Sequence, residues 1–318
     1  MIRMQHLVLI LLTAIFAVPV FTQDTDPIRV ETNLVNVNVS VSDKKGNYVL
    51  GLEKENFEIY DEAKKMPIEY FSAGNEPVSY GIVYDMHPTT EDRTKAVLES
   101  LREFTRGLGK QDDFFTLVFN KRGSLVLNFV PTAEQVRIHL SSGYSEPNAL
   151  YDAIYMAAKT ISNRRNNKRV LLVITDSADH NSEHSLNDIQ SQLREVDAQV
   201  YTVIWDEAEK WEYSDITSDG VRRNKILSDA TSLSRGAMQE LALRTGGIMQ
   251  SPVVQNANEL FRIYDQINTE VRRQYSLGFY PETFDGKWHS IKVKLRSVEN
   301  TKGMSLTHRL GYKSPDPK

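Results

Sequence analysis

The chain has no cysteine among its 318 residues. That absence excludes disulfides, thiolate metal sites, a cysteine nucleophile and lipid attachment to a cysteine behind a leader peptide. An excess of basic charge is also lacking, because 42 acidic side chains outnumber 38 basic ones for a formal charge of -4. No general electrostatic footprint for nucleic acid results, and no nucleic-acid partner is expected. There is no P-loop, no nucleophile elbow, no internal repeat and no low-complexity tract. Long apolar runs are scarce. Leu7 to Val20, preceded by Arg3, is apolar but short for a spanning helix. It reads as the centre of a signal peptide over residues 1–23, cleaved near Thr22 to Asp24, with an uncleaved anchor as the alternative. The expectation is an exported protein of the periplasm, cell surface or medium, with no stable membrane insertion after cleavage. Without disulfides it must rest on buried cores, and 40 % hydrophobic residues suffice for one of good size and a second.

What is present divides the chain by its rhythm. Val35, Val37, Val39 and Val41 alternate with Asn36, Asn38, Ser40 and Ser42, the period of a half-buried strand, with Leu34 out of phase. Asp43 to Asn47 is a turn by composition, and residues 56–71 read as two more strands around a turn near Glu62 to Lys65. From Val78 strands alternate with amphipathic helices. Val97, Leu101, Phe104 and Leu108 align one helix, and Leu150, Ile154, Ala157 and Ile161 align a second. Leu186, Ile189, Leu193 and Val196 align a third, and Leu260, Ile263, Ile267 and Val271 a later one. Between them, Phe114 to Phe119 and Ser124 to Phe129 form a hairpin signal, while Arg169 to Thr175 is a near-continuous apolar run suited to a strand covered on both faces. Residues 207–235 are polar and weakly periodic, a long exposed loop or insertion; the helix after them stops at Gly246-Gly247. Period 2 returns after Gln274, with strands over Tyr275 to Tyr280, Trp288 to Leu295 and Leu306 to Tyr312. The reading is a β-rich segment at 28–75, a βα-alternating domain at 77–273 and a β-rich segment at 274–314 packing with the first as one discontinuous β-sandwich.

Candidate chemistry collects at strand ends. One apolar run delivers Asp85, another Asp176, and the loop before the second helix offers Asn148. In a parallel sheet these ends converge on one face, where carboxylates with hydroxyl and amide oxygens suit Mg²⁺, Mn²⁺ or Ca²⁺. A second pattern is His87, His180 and His184 near the same carboxylates, which suits Zn²⁺. A third is the string Asp85, His87, Thr89, which parallels the D-x-D-x-T logic of aspartyl phosphotransferases, with Asp176 and Asp179 on Mg²⁺. Arg164, Arg165, Lys168 and Arg169 form a basic cluster read as a solvated helix end, and Trp205, Trp211 and Tyr213 surround the long loop.

The middle of the chain resembles a von Willebrand factor type A domain, whose metal-ion-dependent adhesion site carries D-x-S-x-S after the first strand. The corresponding residues here are Asp85-Met86-His87-Pro88-Thr89, with Asn148 at the family's threonine position and Asp176 at its last aspartate. The whole layout, through Tyr275-Ser276-Leu277-Gly278-Phe279-Tyr280-Pro281 and Arg309-Leu310-Gly311-Tyr312, is similar to exported von Willebrand A-like proteins of acidobacteria. The resemblance implies a doubly wound α/β sheet with one antiparallel edge strand. It implies a degenerate metal site of Asp85, His87, Thr89, Asn148 and Asp176, and a protein partner presenting a carboxylate to the ion. It implies no catalysis. His87 and Pro88 depart from the pattern, since imidazole offers nitrogen where a hydroxyl is usual and proline fixes φ and removes an N–H. A metal-independent structural or assembly subunit of the cell envelope is the alternative.

Overall fold

The computed structural model describes residues 33–85, 91–120, 123–135, 149–175, 179, 182–204, 235–251, 256–296 and 303–317. It opens with β1 (Val35–Ser42), β2 (Phe57–Asp61), β3 (Lys64–Met66) and β4 (Tyr70–Ala73). The central strand β5 (Val78–Asp85) leads to α1 (Glu91–Arg106), then to the hairpin of β6 (Asp113–Asn120) and β7 (Gly123–Leu127). Next come α2 (Leu150–Ser162), β8 (Lys168–Thr175), α3 (Leu186–Val196) and β9 (Ala198–Ile204). A helix α4 over 235–245, β10 (Met249–Gln250) and α5 (Ala257–Arg273) complete the alternating part. β11 (Tyr275–Phe279), β12 (Trp288–Leu295), β13 (Ser305–His308) and β14 (Gly311–Lys313) close the chain.

The six-stranded sheet runs β10-β9-β8-β5-β6-β7. β5 pairs in parallel with β6 on one side and β8 on the other, and β7 is an antiparallel edge strand. Both faces are covered, which explains the apolar run of β8: Val170 to Ile174 are buried in unbroken succession. On one face Leu150, Ile154, Ala157 and Ile161 of α2 share a core with Phe115, Leu171, Ile189, Leu193 and Leu241. On the other, Val97, Leu101 and Phe104 of α1 meet Tyr80, Leu172, Leu260, Tyr264 and Val271. The fold is α/β, a doubly wound, mostly parallel sheet with one antiparallel edge strand.

Two four-stranded antiparallel sheets, β13-β1-β11-β4 and β14-β12-β2-β3, make the sandwich. The valines of β1 at positions 35, 37, 39 and 41 are all buried against Ile59, Leu277 and Phe279. Burial of each such side chain is worth roughly 1.5–3 kcal/mol relative to exposure. β1 from one end of the chain pairs with β11 from the other, Val35 opposite Phe279 and Val39 opposite Tyr275. β2 and β12 do the same in the second sheet, Ile59 opposite Val293.

Two expectations change in the sandwich. Leu306 to Tyr312 is two strands, β13 bonded to β1 and β14 to β12, so the chain crosses between sheets at Arg309-Leu310. Arg309 causes the break: its guanidinium turns inward to Asp197 at 2.6 Å and to the Asn36 carbonyl, while Leu310 faces solvent. The segment 56–71 contains β4 beyond the two strands expected, and β4 joins the opposite sheet beside β11.

A buried polar cluster joins sandwich to α/β sheet. Glu270 on α5 accepts from Ser40 of β1 at 3.0 Å, from Tyr48 at 3.1 Å and from Tyr201 of β9 at 3.4 Å. Gln274 donates to Ser40 and Tyr201. Burial pushes the Glu270 carboxyl above its ordinary value, against the lowering effect of the three hydroxyls that donate to it.

Candidate functional site

Crossovers from the neighbouring strands β5 and β8 diverge. The connection from β5 through α1 leads to β6 on one flank, and that from β8 through α3 leads to β9 on the other. The topological switch point therefore lies between β5 and β8, and ligands of open α/β sheets bind outside the carboxyl ends of the strands at such a point. Register brings the two ends level: Tyr84 pairs with Ile174, and Asp85 pairs with Phe119 across the other edge of β5. Asp85 is thus the last residue of the central strand, with Thr175 the last of its neighbour and Asp176 next in sequence. The side chain of Asp85 and residues His87, Thr89, Asn148 and Asp176 lie outside the described residues. Among the described residues no group of three or more His, Asp or Glu side chains could hold a metal ion.

The rim of this crevice is described in more detail. α2 starts after Ala149, a residue with no side chain to cap its first N–H groups. The loop after β8 supplies the caps. The Tyr151 N–H donates to Asp179 Oδ1 at 3.2 Å, and the Asp152 N–H donates to Ser182 Oγ at 3.1 Å. The Ser182 hydroxyl in turn donates to Asp179 Oδ1 at 2.6 Å. Asp152 returns the contact, its carboxylate accepting from the N–H groups of Glu183 at 3.0 Å and His184 at 2.9 Å. His184 Nδ1 lies 2.7 Å from Asp152 Oδ1, and its ring stacks on Tyr155 with centroids 3.9 Å apart. Burial alone would raise the Asp152 carboxyl, but the two backbone donors and the imidazole outweigh it and hold it below its ordinary value.

These contacts bear on the sequence readings. His184 is engaged through Nδ1 with Asp152, while His87 and His180 lie outside the described residues. Asp179, a candidate Mg²⁺ ligand in the phosphotransferase reading, caps α2. In the basic cluster Arg165 donates to the carbonyls of Gln111 and Asp112, Arg164 to Asn128, and Arg169 to the Val196 carbonyl at 2.9 Å. Lys168 is buried without a hydrogen-bond partner among the described residues, and desolvation pulls its ammonium down to about 8. The arginines bind the end of α2 and the start of β8 to neighbouring loops. Trp205, Trp211 and Tyr213 lie outside the described residues.

Asp152 and Ser182 are absent from the sequence reading. Their pairing spans two loops, so no local spacing announces it; the one local sign is a helix start whose own cap position, Ala149, cannot cap. Asp152→Ala is expected to loosen the loop after β8 and cost about 2 kcal/mol, the scale for a charge-assisted hydrogen-bond acceptor removed from backbone donors. Because the folded carboxyl sits low, its contribution is present above the unfolded value and fades as pH falls through the folded one. Urea titrations of both proteins should show a gap at pH 7 that narrows in acid; a gap independent of pH would sink this account.

The fold and the placement of Asp85 define the class: a doubly wound α/β sheet joined to a β-sandwich built from strands at both ends of the chain. Comparison with protein-family models found no match, and neither did comparison with curated proteins. Among solved structures the chain is similar to an aerotolerance-related membrane protein from Bacteroides fragilis, at 19% identity and a TM-score of 0.39, covering 61% of this chain and 98% of that one. It is similar to BatB from Bacteroides thetaiotaomicron at 18% identity and a TM-score of 0.40, with the same coverage of 61% and 98%. It is also similar to the ArnB paralog VWA2 from Sulfolobus acidocaldarius, at 11% identity and 0.40, over 90% of this chain and 77% of that one. Among the described residues no helix is long and apolar enough to cross a membrane.

Proposed function

We propose that the protein is an exported, non-catalytic recognition module that engages a protein partner at the crevice between β5 and β8. The observation that carries this reading is the placement of Asp85 at the end of the central strand, level with the end of β8, where the crossovers diverge. A rim fastened by Asp152, Asp179 and Ser182 supports it, since a recognition surface benefits from loops held in place before binding. In this reading Asp85, Thr89, Asn148 and Asp176 supply oxygens for Mg²⁺, or for Mn²⁺ or Ca²⁺, and a partner carboxylate completes the set. Two carboxylates, a hydroxyl and an amide fit a hard cation. The His87 imidazole fits it less well, which makes the site a degenerate one and gives Zn²⁺ as the competing ion.

Titration calorimetry of the protein lacking residues 1–23 is expected to give one Mg²⁺ or Mn²⁺ per chain, with binding at least tenfold weaker in Asp85→Ala and in Asp176→Ala. Capture of an envelope partner should be lost with chelator and in both variants. Capture that survives both substitutions and chelation transfers the function to a metal-independent assembly role. Hydrolysis of an aryl phosphate with Mg²⁺, abolished in Asp85→Asn, would replace recognition by the phosphotransferase reading.

A further inference from the structure

At the opposite, amino end of the parallel strands, where β9 begins, α3 and α4 end beside the sandwich and leave a partly enclosed cleft of about 30 Å³. That is room for about two oxygen atoms the size of water. Three arginines line it: Arg194 from α3, Arg244 from α4 and Arg309 from the crossing between β13 and β14. Their charges are unevenly matched. Arg309 pairs with Asp197 at 2.6 Å, and Arg244 holds Glu240 through Nε at 2.7 Å. Arg194 meets no carboxylate or carbonyl among the described residues; its guanidinium lies over the Trp288 ring at 4.3 Å. Arg309 is nine-tenths buried, yet its Nε–H finds no acceptor among the described residues. Buried guanidinium donors are normally satisfied, so such an orphan marks a place where an acceptor belongs. Arginine in the last turn of a helix is ordinary, because it complements the negative end of the dipole. Two such arginines turned into one cleft with a third are not explained by that preference, since each adds to the field that opposes the next. Burial and the Arg244 charge together push the Arg194 guanidinium below its ordinary value. The rest of the lining combines polar Gln190, Asp197 and Thr245 with apolar Leu193, Ala198 and Leu241.

We infer that this cleft is a binding site for a small carboxylate, whose two oxygens fill the space among the Arg194, Arg244 and Arg309 guanidiniums while its carbon end lies toward the open mouth. A guanidinium fork matches a carboxylate in geometry and charge, and two oxygens are what the volume admits. The ligand neutralises the charge that Asp197 and Glu240 leave uncovered. The site is separate from the crevice at Asp85 and independent of any metal there.

The test uses the chain's three tryptophans. With Trp205 and Trp211 changed to phenylalanine, Trp288 alone reports on the cleft. Acetate, added at constant ionic strength against chloride, is expected to change Trp288 emission with saturation and to raise the melting temperature. Arg194→Gln and Arg244→Gln should each weaken that response at least tenfold, and Arg194→Lys, which keeps charge but not the fork, should fall between. Melting curves of the ligand-free variants identify any that fail to fold; Arg194→Lys then serves as the test in their place. An acetate response that matches chloride, or that survives in every folded variant, overturns the proposal. Inorganic phosphate binding more tightly than acetate overturns the carboxylate assignment.

Discussion

Glu270→Gln is expected to make the protein more stable at neutral pH, and Glu270→Ala to make it less so. The carboxyl lies at the junction of α5, β1 and β9, only 3 % exposed. Burial raises it, so the folded state prefers the protonated form more than the unfolded chain does. For an acid raised in this way, the favourable contribution is fully present below the unfolded value and is lost as pH rises through the folded value. Glutamine mimics the protonated form and is indifferent to pH. The advantage of Glu270→Gln over wild type should therefore be small in acid, grow as pH passes the folded value and then level off. Alanine is a different experiment, because it strands the Ser40, Tyr48 and Tyr201 hydroxyls and leaves a hole. A cost on the order of 3 kcal/mol follows from leaving such groups unsatisfied. Urea unfolding from pH 4 to pH 8 measures all three proteins. Parallel curves for wild type and Glu270→Gln would show that the carboxyl is not raised.

The second large effect is expected at Gly247, where the constraint is space. After α4 the chain turns at Gly246, whose φ of +79° is left-handed, and the Gly247 N–H donates back to the Ala242 carbonyl at 2.9 Å. A Cβ on Gly247 would lie 2.1 Å from the Val200 carbonyl oxygen. That oxygen belongs to the backbone of β9, which is bonded to β8 along its length, and cannot swing aside as a side-chain tip does. Gly247→Ala should cost about 3 kcal/mol, near the upper end for overpacking, and lower the melting temperature by about 6–12 °C. A change below about 1 °C would mean that residues 246–248 can shift at no cost.

Much of this architecture can be read in the residues because local patterns and tertiary roles coincide. The alternating valines of β1 face one core and nothing else. The unbroken apolar run of β8 is what burial on both faces requires. Asp85 is legible as the end of its strand because the apolar run Ile82 to Tyr84 stops there. What escaped is long-range. The alternation of residues 305–313 runs through Arg309 without interruption, since the carboxylate that draws this arginine inward, Asp197, comes from another part of the chain. The caps on α2 come from a loop beyond β8 and have no spacing rule. Glu270 was closer to legible: it lies three residues after Ile267 and beside Val271, a charge on the apolar stripe of α5. A charge in that phase calls for buried donors, though the sequence does not say which.

The pairing of β1 with β11 also sets an order of assembly. Asn38 and Ser276, hydrogen-bonded neighbours at 2.9 Å, are 238 positions apart in the chain. As the polypeptide emerges from its N-terminus, the four valines of β1 precede by far the strand that covers them. Closing so long a loop at random would be slow. The α/β half removes that search, because its first strand begins where its last helix ends, the Asn75 N–H donating to the Arg272 carbonyl at 3.0 Å, and so delivers Ser276 to Asn38 as a near neighbour. Until then β1 is an apolar strand with both edges open, the kind of segment that joins other chains. Damage to the middle of the molecule should therefore surface as aggregation through its beginning.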